Sequence, residues 1–280
     1  MSITYSQAQI RRLKELEADP ADMAACFTDP AQRDQTFQDL AKGLVTRERA
    51  KLQAYRDGQR RPDLCILENR LAETLTAKGF IQVTTPIIMS NEHLARMGID
   101  QDHPLSDQVY WLGKSKCLRP MLAPHLYYVV KDMLRLWGGP VGLFEVGPCF
   151  RKETQGAAHS SEFTMLNVAE FGTPMEQRQE RLREMAAWVM NGVGITDYKI
   201  QVETSNVYGD TIDVVAGPDE LEVASCALGP HFLDPAWGIT DTWVGLGFGL
   251  ERLVMAAGGF TSLGRIGRSL TYLNGLRLNV

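Results

Sequence analysis

The 280-residue chain is 44% hydrophobic and 22% charged, enough apolar content for one large domain or a core with a small appendage. Its polar start lacks the apolar run of a signal peptide, no stretch reaches membrane-span length, and five scattered cysteines without a Cys-x-x-Cys pair read as reduced thiols in the cytoplasm. The net charge of −5 excludes a generically basic nucleic-acid binder, yet residues 1–62 carry 11 basic against 9 acidic side chains, leaving 18 against 25 for the rest.

Along the chain, Ser6 is positioned to cap a short amphipathic helix carrying Ile10, Leu13 and Leu16. Pro20 and Pro30 then divide the first sixty residues into short helices, an arrangement suited to an appendage ending at Arg61-Pro62. Asp63 opens a helix through Leu64, Leu67, Leu71 and Leu75 to Lys78-Gly79, and residues 80–85 follow as a strand stopped by Pro86. Strands around 109–112 and 116–118 precede a helix over 124–137, which Gly138-Gly139-Pro140 ends. Two long strands, 141–151 and 162–171, flank a polar loop and so form an antiparallel hairpin. Thr173-Pro174 opens a helix with Leu182, Met185, Ala186 and Val189 on one face. Strands at 197–204, 211–216, 220–228 and 241–247 come next, and a glycine-rich turn from Gly245 leads into a last helix. Sequential strands joined by short turns predict a largely antiparallel sheet with helices packed on it, an α+β fold.

Two arginine sites carry the chemistry. Gly245-Leu246-Gly247-Phe248-Gly249 lacks the spacing of a dinucleotide fingerprint, because the last glycine of Gly-x-Gly-x-x-Gly would fall on Leu250. It does put Arg252 in the first turn of a helix, where the dipole disfavours a cation by roughly 0.3–1 kcal/mol unless an anion is held there. Arg151 and Glu153 lie two apart at the end of an apolar strand, either as a surface pair or as a buried arginine awaiting a planar anion such as carboxylate or phosphate. Together the two arginines suggest a nucleotide polyphosphate. Between 42 and 61, seven basic residues (Lys42, Arg47, Arg49, Lys51, Arg56, Arg60, Arg61) face only Glu48 and Asp57. That stretch reads equally as a surface for a phosphate backbone or as a solvated helix face.

Taken in order, the helix–strand–Pro86 element, the Phe150-Arg151-Lys152-Glu153 strand and the Gly-x-Gly-x-Gly-x-x-Arg element ending at Arg252 resemble the three motifs of the class II aminoacyl-tRNA synthetases. Segments 118–124, 144–153, 162–167, 207–211 and 243–253 are similar to the pyrrolysine-specific branch of that family, and the resemblance spans residues 63–280 as a catalytic core. Residues 1–62 resemble the helical lead-in of the bacterial form, in which a further tRNA-binding domain is a separate polypeptide.

The resemblance implies an enzyme that uses ATP and Mg²⁺ to activate pyrrolysine and then charges the amber-decoding tRNA(Pyl). It also implies a homodimer built around the Pro86 element, while the lack of a membrane-length apolar run reads as no membrane association. By the same resemblance, Arg151 would bridge substrate carboxylate and α-phosphate, and Arg252 would meet the γ-phosphate and adenine. Phe163 would stack on adenine, Glu153 would orient the base, and His159 would complete the ATP site. Glu222 and Ser225 would hold Mg²⁺; without the resemblance, Glu222 reads as an ordinary strand carboxylate. The amino-acid pocket would comprise Ala123, Leu126, Tyr127, Val130, Asn167, Ala169, Tyr208, Ala227 and Trp243, with Asn167 on the substrate's side-chain amide and Tyr208 on a closing hairpin tip.

Residues at 123–130 would otherwise pass for ordinary helix core. Bulkier residues commonly occupy the positions of Val130, Ala169 and Ala227, and asparagine that of His125, so the pocket is expected to be roomier. Arg47, Arg49, Lys51, Arg60 and Arg61 are the candidate tRNA contacts. Alternatives are a class II synthetase for another amino acid, such as phenylalanine, or a non-catalytic tRNA-binding paralogue. The retained Arg151, Glu153, Glu222 and Arg252 argue against the paralogue.

Overall fold

The computed structural model describes residues 3–100, 102–152, 156–157, 159–205 and 209–280. The chain forms two compact units, Met1–Pro62 with Leu270–Val280, and Asp63–Ser269. The first begins with β1 (Ile3–Thr4) and α1 (Gln7–Glu15). A full capping box starts α1: the Ser6 hydroxyl accepts from the Gln9 amide, and the Gln9 side chain accepts from Ser6. After α2 (Pro20–Met23), β2 (Cys26–Phe27) pairs antiparallel with β1.

The expected run of short helices gives way to one long helix, α3 (Pro30–Asp57), of 28 residues. Both prolines sit at helix starts, where no backbone N–H is required, so each opens a helix instead of interrupting one. Asp29 accepts from the Gln32 amide at the start of α3, and Gly58 ends it. Tyr5, Leu13, Leu16, Phe27 and Leu44 form this unit's own small core.

The second unit is built on a seven-stranded sheet. Its elements are α4 (Asp63–Ala77), β3 (Ile81–Gln82), β4 (Ile88–Ser90), α5 (Asn91–Arg96), β5 (Lys116–Leu118), α6 (Ala123–Trp137), β6 (Val141–Phe150) and β7 (Glu162–Phe171). They continue through α7 (Arg178–Val193), β8 (Tyr198–Ser205), β9 (Gly209–Ala216), β10 (Leu221–Gly229), α8 (Asp234–Trp237), β11 (Trp243–Gly249) and α9 (Leu250–Gly258). The strand order is β3-β6-β7-β11-β10-β9-β8, antiparallel except where β3 runs parallel to β6. Last, β12 (Tyr272–Leu273) and β13 (Leu276–Arg277) make a hairpin of the first unit, where Arg277 donates to the Glu15 carbonyl at 3.3 Å.

Three local expectations are corrected. The predicted strand over 80–85 shrinks to Ile81–Gln82, because the Thr85 amide donates to the Glu145 carboxylate instead of to a ladder carbonyl. The predicted strand over 109–112 is absent: Trp111 makes a single bridge to Cys117, and its indole N–H turns back to the Ser106 carbonyl. The glycine-rich turn from Gly245 is the middle of β11, hydrogen-bonded on both sides by β7 and β10.

Strand alternation sorts the sheet into two faces. Phe144, Leu166, Val168, Val244, Leu246 and Phe248 point to the core under α4, α7 and α9. Leu143, Ala169, Phe171, Ala227 and Trp243 point the other way, toward α6. Among the described residues, no helix is long and apolar enough to cross a membrane.

Candidate active site

The sheet face under α6 can be read as rows running across the strands. Glu145 pairs with Asn167, Asn167 with Gly247, Gly247 with Ser225, and Ser225 with Asp213. The neighbouring row runs Leu143, Ala169, Gly245, Ala227. Rows on one face are two residues apart along each strand, about 6.6 Å, so the polar row abuts a row whose side chains are very small at Ala169, Gly245 and Ala227. Gly245, Gly247 and Gly249 all fall on this face, with Val244, Leu246 and Phe248 buried between them. The glycine pattern therefore strips one face of a strand bare, so that a flat group can approach the backbone.

A cavity of about 410 Å³ opens over these rows. It takes in Ala123, Leu126, Tyr127, Asn167, Ala169, Ala227 and Trp243 from the predicted amino-acid set, and Arg151, Glu222 and Ser225 from the predicted nucleotide set. One end is aromatic. Tyr127 stands edge-on to Trp243 at 5.6 Å and stacks with Trp237 at 5.6 Å. The Trp243 indole lies across two glycines; a side chain at Gly229 would collide with it, and one at Gly245 would stand 3.1 Å from its ring. Asp234 fixes that indole, accepting its N–H at 2.9 Å. Burial pushes the Asp234 carboxyl above the usual carboxylate range, partly offset by the bond from Trp243.

The other end is charged. Glu222 and Ser225 are three apart, a spacing that on a regular strand would point them to opposite faces. A β-bulge between Glu222 and Ala224 adds one residue, so both emerge on the cavity side with Val223 and Ala224 buried between them. Asp213 stands opposite Ser225, and one of its carboxylate oxygens is buried without a hydrogen-bond partner among the described residues. Burial pushes the Asp213 carboxyl upward, the Ser225 hydroxyl pulls it down, and the negative charge of Glu222 pushes it up again.

Arg151 lies just past the end of β6. Its Nε donates to the Pro120 carbonyl at 2.9 Å, and its guanidinium lies 5.2 Å from the Phe163 ring centre. Arg252 occupies the third position of α9, where its Nη1 meets the Glu222 carbonyl at 3.0 Å and the Glu222 carboxylate at 3.4 Å. The anion expected beside a cation at a helix start is, within the chain, Glu222.

Four predicted residues do not line the cavity. Val130 is fully buried behind it, Phe163 sits under Arg151, Arg252 is held against Glu222, and His159 is exposed on the β6–β7 connection. Glu153 and Tyr208 lie outside the described residues. Sequence reading missed Asp213, Thr211, Gln108 and Met165, all of which line the cavity. The alternation of Thr211 and Asp213 was visible, but the register that sets Asp213 against Ser225 was not.

In the first unit, Lys51 and Arg47 pair with the buried Glu48 at 2.6 and 3.7 Å, and Arg47 also donates to the Glu17 carbonyl. Arg60 donates to the Arg56 carbonyl, while Arg49 and Arg61 are exposed.

Comparison with known proteins agrees with this architecture. The family described as "tRNA synthetases class II core domain (F)" matches residues 49–271. Among curated proteins, the chain is similar to histidine--tRNA ligase of Thermosipho africanus (24% identity, 49% of this chain, 34% of that one). It is also similar to the lysylphosphatidylglycerol biosynthesis bifunctional protein LysX of Mycobacterium marinum (30% identity, 60% of this chain, 14% of that one). The matched region thus spans about a third or less of these two relatives. Among solved structures, a pyrrolysyl-tRNA synthetase from Desulfitobacterium hafniense superposes with a TM-score of 0.87 at 48% identity, covering 100% of both chains. A structure of PylSc, a pyrrolysyl tRNA synthetase of the same organism, gives 0.85 at 47%, covering 100% of this chain and 96% of that one.

Proposed function

The chain belongs to the class II aminoacyl-tRNA synthetase core family, and from that membership we propose that it activates pyrrolysine with ATP and transfers it to the amber-decoding tRNA(Pyl). The observation that carries the reading is the abutting pair of rows. Asn167, Gly247, Ser225 and Asp213 offer polar contacts beside an apolar slot of Ala169, Gly245 and Ala227, closed by Trp243 and Tyr127. One cavity can therefore take a charged nucleotide end and a bulky, mostly apolar side chain. Asn167, in the polar row at the edge of the slot, suits the amide of pyrrolysine. Tyr208 would close over the ring, and Glu153 would orient the adenine with His159 nearby.

In the activation step the substrate carboxylate is already ionised, so no side chain has to remove a proton. The burden falls on positioning and charge stabilisation at the α-phosphorus. Arg151, oriented by Pro120 and Phe163, supplies the guanidinium at the reacting end. Arg252 supplies a second cation at the start of α9. Glu222 and Ser225, with Asp213 beside them, would hold Mg²⁺, a hard cation often bound by one or two carboxylates together with phosphate oxygens. The unpartnered buried oxygen of Asp213 fits that group. When bound, the ion offsets phosphate charge. The exposed Ile87 and Ile88 beside Pro86 support a homodimer through this edge. Arg49 and its neighbours on α3 are the candidate tRNA contacts, whether or not a separate tRNA-binding protein assists. The dispersed cysteines support a cytoplasmic setting.

The test is pyrophosphate exchange into ATP with pyrrolysine, an Nε-acylated lysine and phenylalanine. Exchange with the first two is expected. Exchange with phenylalanine alone would overturn the substrate, and exchange with none would favour a non-catalytic paralogue.

A further inference from the structure

Behind the cavity lies a polar cluster that the reaction does not use directly. Arg119 is 2% exposed, and a buried guanidinium is costly unless its donors are matched. Its Nε donates to the Pro148 carbonyl at 2.8 Å. Its Nη1 donates to Glu145 Oε1 at 2.7 Å and lies 3.1 Å from both the Thr85 carbonyl and hydroxyl. Glu145 Oε1 also accepts the Thr85 amide at 3.1 Å, and its Oε2 accepts the Thr85 hydroxyl at 2.7 Å. With that single proton given to the carboxylate, Thr85 Oγ1 can accept from His125 Nδ1, 3.0 Å away. The cluster closes on itself. Gly147 makes room for it, since a side chain there would collide with Arg119 Nη2.

The cluster also reaches the reacting end through the backbone. The Arg119 carbonyl accepts the Phe150 amide at 3.0 Å, and the next carbonyl, Pro120, accepts Nε of Arg151. The side chain of Arg119 thus anchors to β6 the short loop that orients Arg151. We propose that Arg119 is a positioning residue for amino-acid activation: its bonds to Glu145, Thr85 and Pro148 hold the Pro120 carbonyl at Arg151 Nε and keep that guanidinium on the cavity wall. The proposal rests on the role given to Arg151 above. A purely structural ion pair would lower stability without singling out Arg151.

A double-mutant cycle on pyrophosphate exchange separates the two. Arg119→Lys keeps the charge but loses the planar fork, and should lower kcat about tenfold or more with KM for the amino acid within about threefold. Arg151→Ala should lower exchange by about 10²-fold. The double variant should lie within about threefold of Arg151→Ala, because Arg119 acts through Arg151. A double variant whose loss is the product of the single losses, or an Arg119→Lys enzyme within about twofold of wild type, would overturn the proposal. An Arg151→Ala enzyme within about tenfold of wild type would instead sink the role of Arg151. If Arg119→Lys does not fold, Thr85→Val should lower kcat while Thr85→Ser restores it, and equal activity of those two would refute the positioning role.

Discussion

His125 shows how the surroundings of a single residue change its ionisation. It is buried, its Nδ1 faces the Thr85 hydroxyl, and its ring meets His93 edge-on at 5.4 Å. Burial, then the nearby His93 and Arg119, lower its pKa from 6.5 to about 4. The folded protein therefore keeps His125 neutral across a range in which the unfolded chain takes up a proton. Stability contributed by this group is full above pH 6.5 and is lost as pH falls toward 4. His93 is shifted in the same direction, whereas burial raises Asp213, Asp234, Glu68 and Glu251, whose contributions fade as pH rises instead. The useful measurement is thus a difference. His125→Asn keeps a polar group near Thr85 and removes the titration, so the wild type should lose up to roughly 3 kcal/mol more than the variant between pH 6.5 and 4. Urea melts at several pH values would read it, and parallel stability curves would contradict the assigned shift.

At the scale of elements, β11 carries the lesson about glycine. Three glycines in five residues read as a turn, because isolated glycine weakens a strand. In the sheet, β7 and β10 supply the ladder on both sides, and the missing side chains become the cavity floor. The prediction is that Gly247→Val leaves the fold in place yet blocks the site. A Cβ there would lie 3.3 Å from Met165 Cε and 3.5 Å from Asn167 Oδ1, both ends of side chains that can shift. KM for the amino acid or ATP should rise at least about tenfold, while the melting temperature falls by no more than a few degrees. A variant with unchanged KM would remove β11 from the site, and one that unfolds would contradict the tolerance expected at Gly247. The long strands β6 and β7 and the helices α4, α6 and α7 were legible from period and caps. The bulge in β10 was not, because it depends on how β9 pairs with β10, and that register leaves no local mark. For the same reason the sequence suggested Glu222 and Ser225 only through resemblance.

Across the whole molecule, residues 270–280 group with the first 62, a relation between segments more than two hundred residues apart that no local pattern encodes. The basic stretch of that unit's long helix divides between different faces. Lys51 and Arg47 are tied to the buried Glu48 and serve the unit's own packing. Lys42, Arg49 and Arg56 are exposed, have no ion-pair partner among the described residues, and recur every seven residues. Seven residues of helix rise about 10.5 Å, so the three cations form a straight stripe about 21 Å long, a shape suited to a nucleic-acid backbone. Arg49→Glu with Arg56→Glu should therefore weaken tRNA charging strongly and lower the salt dependence of tRNA binding by a slope of roughly one to two. Pyrophosphate exchange uses no tRNA and should stay within about twofold, since exposed substitutions of this kind rarely perturb a fold. Lys51→Ala should do the reverse, lowering stability by stripping Glu48 of its 2.6 Å partner while leaving the exposed stripe intact. If the double reversal leaves charging intact, the stripe is a solvated face. If charging and exchange fall together, its role is structural.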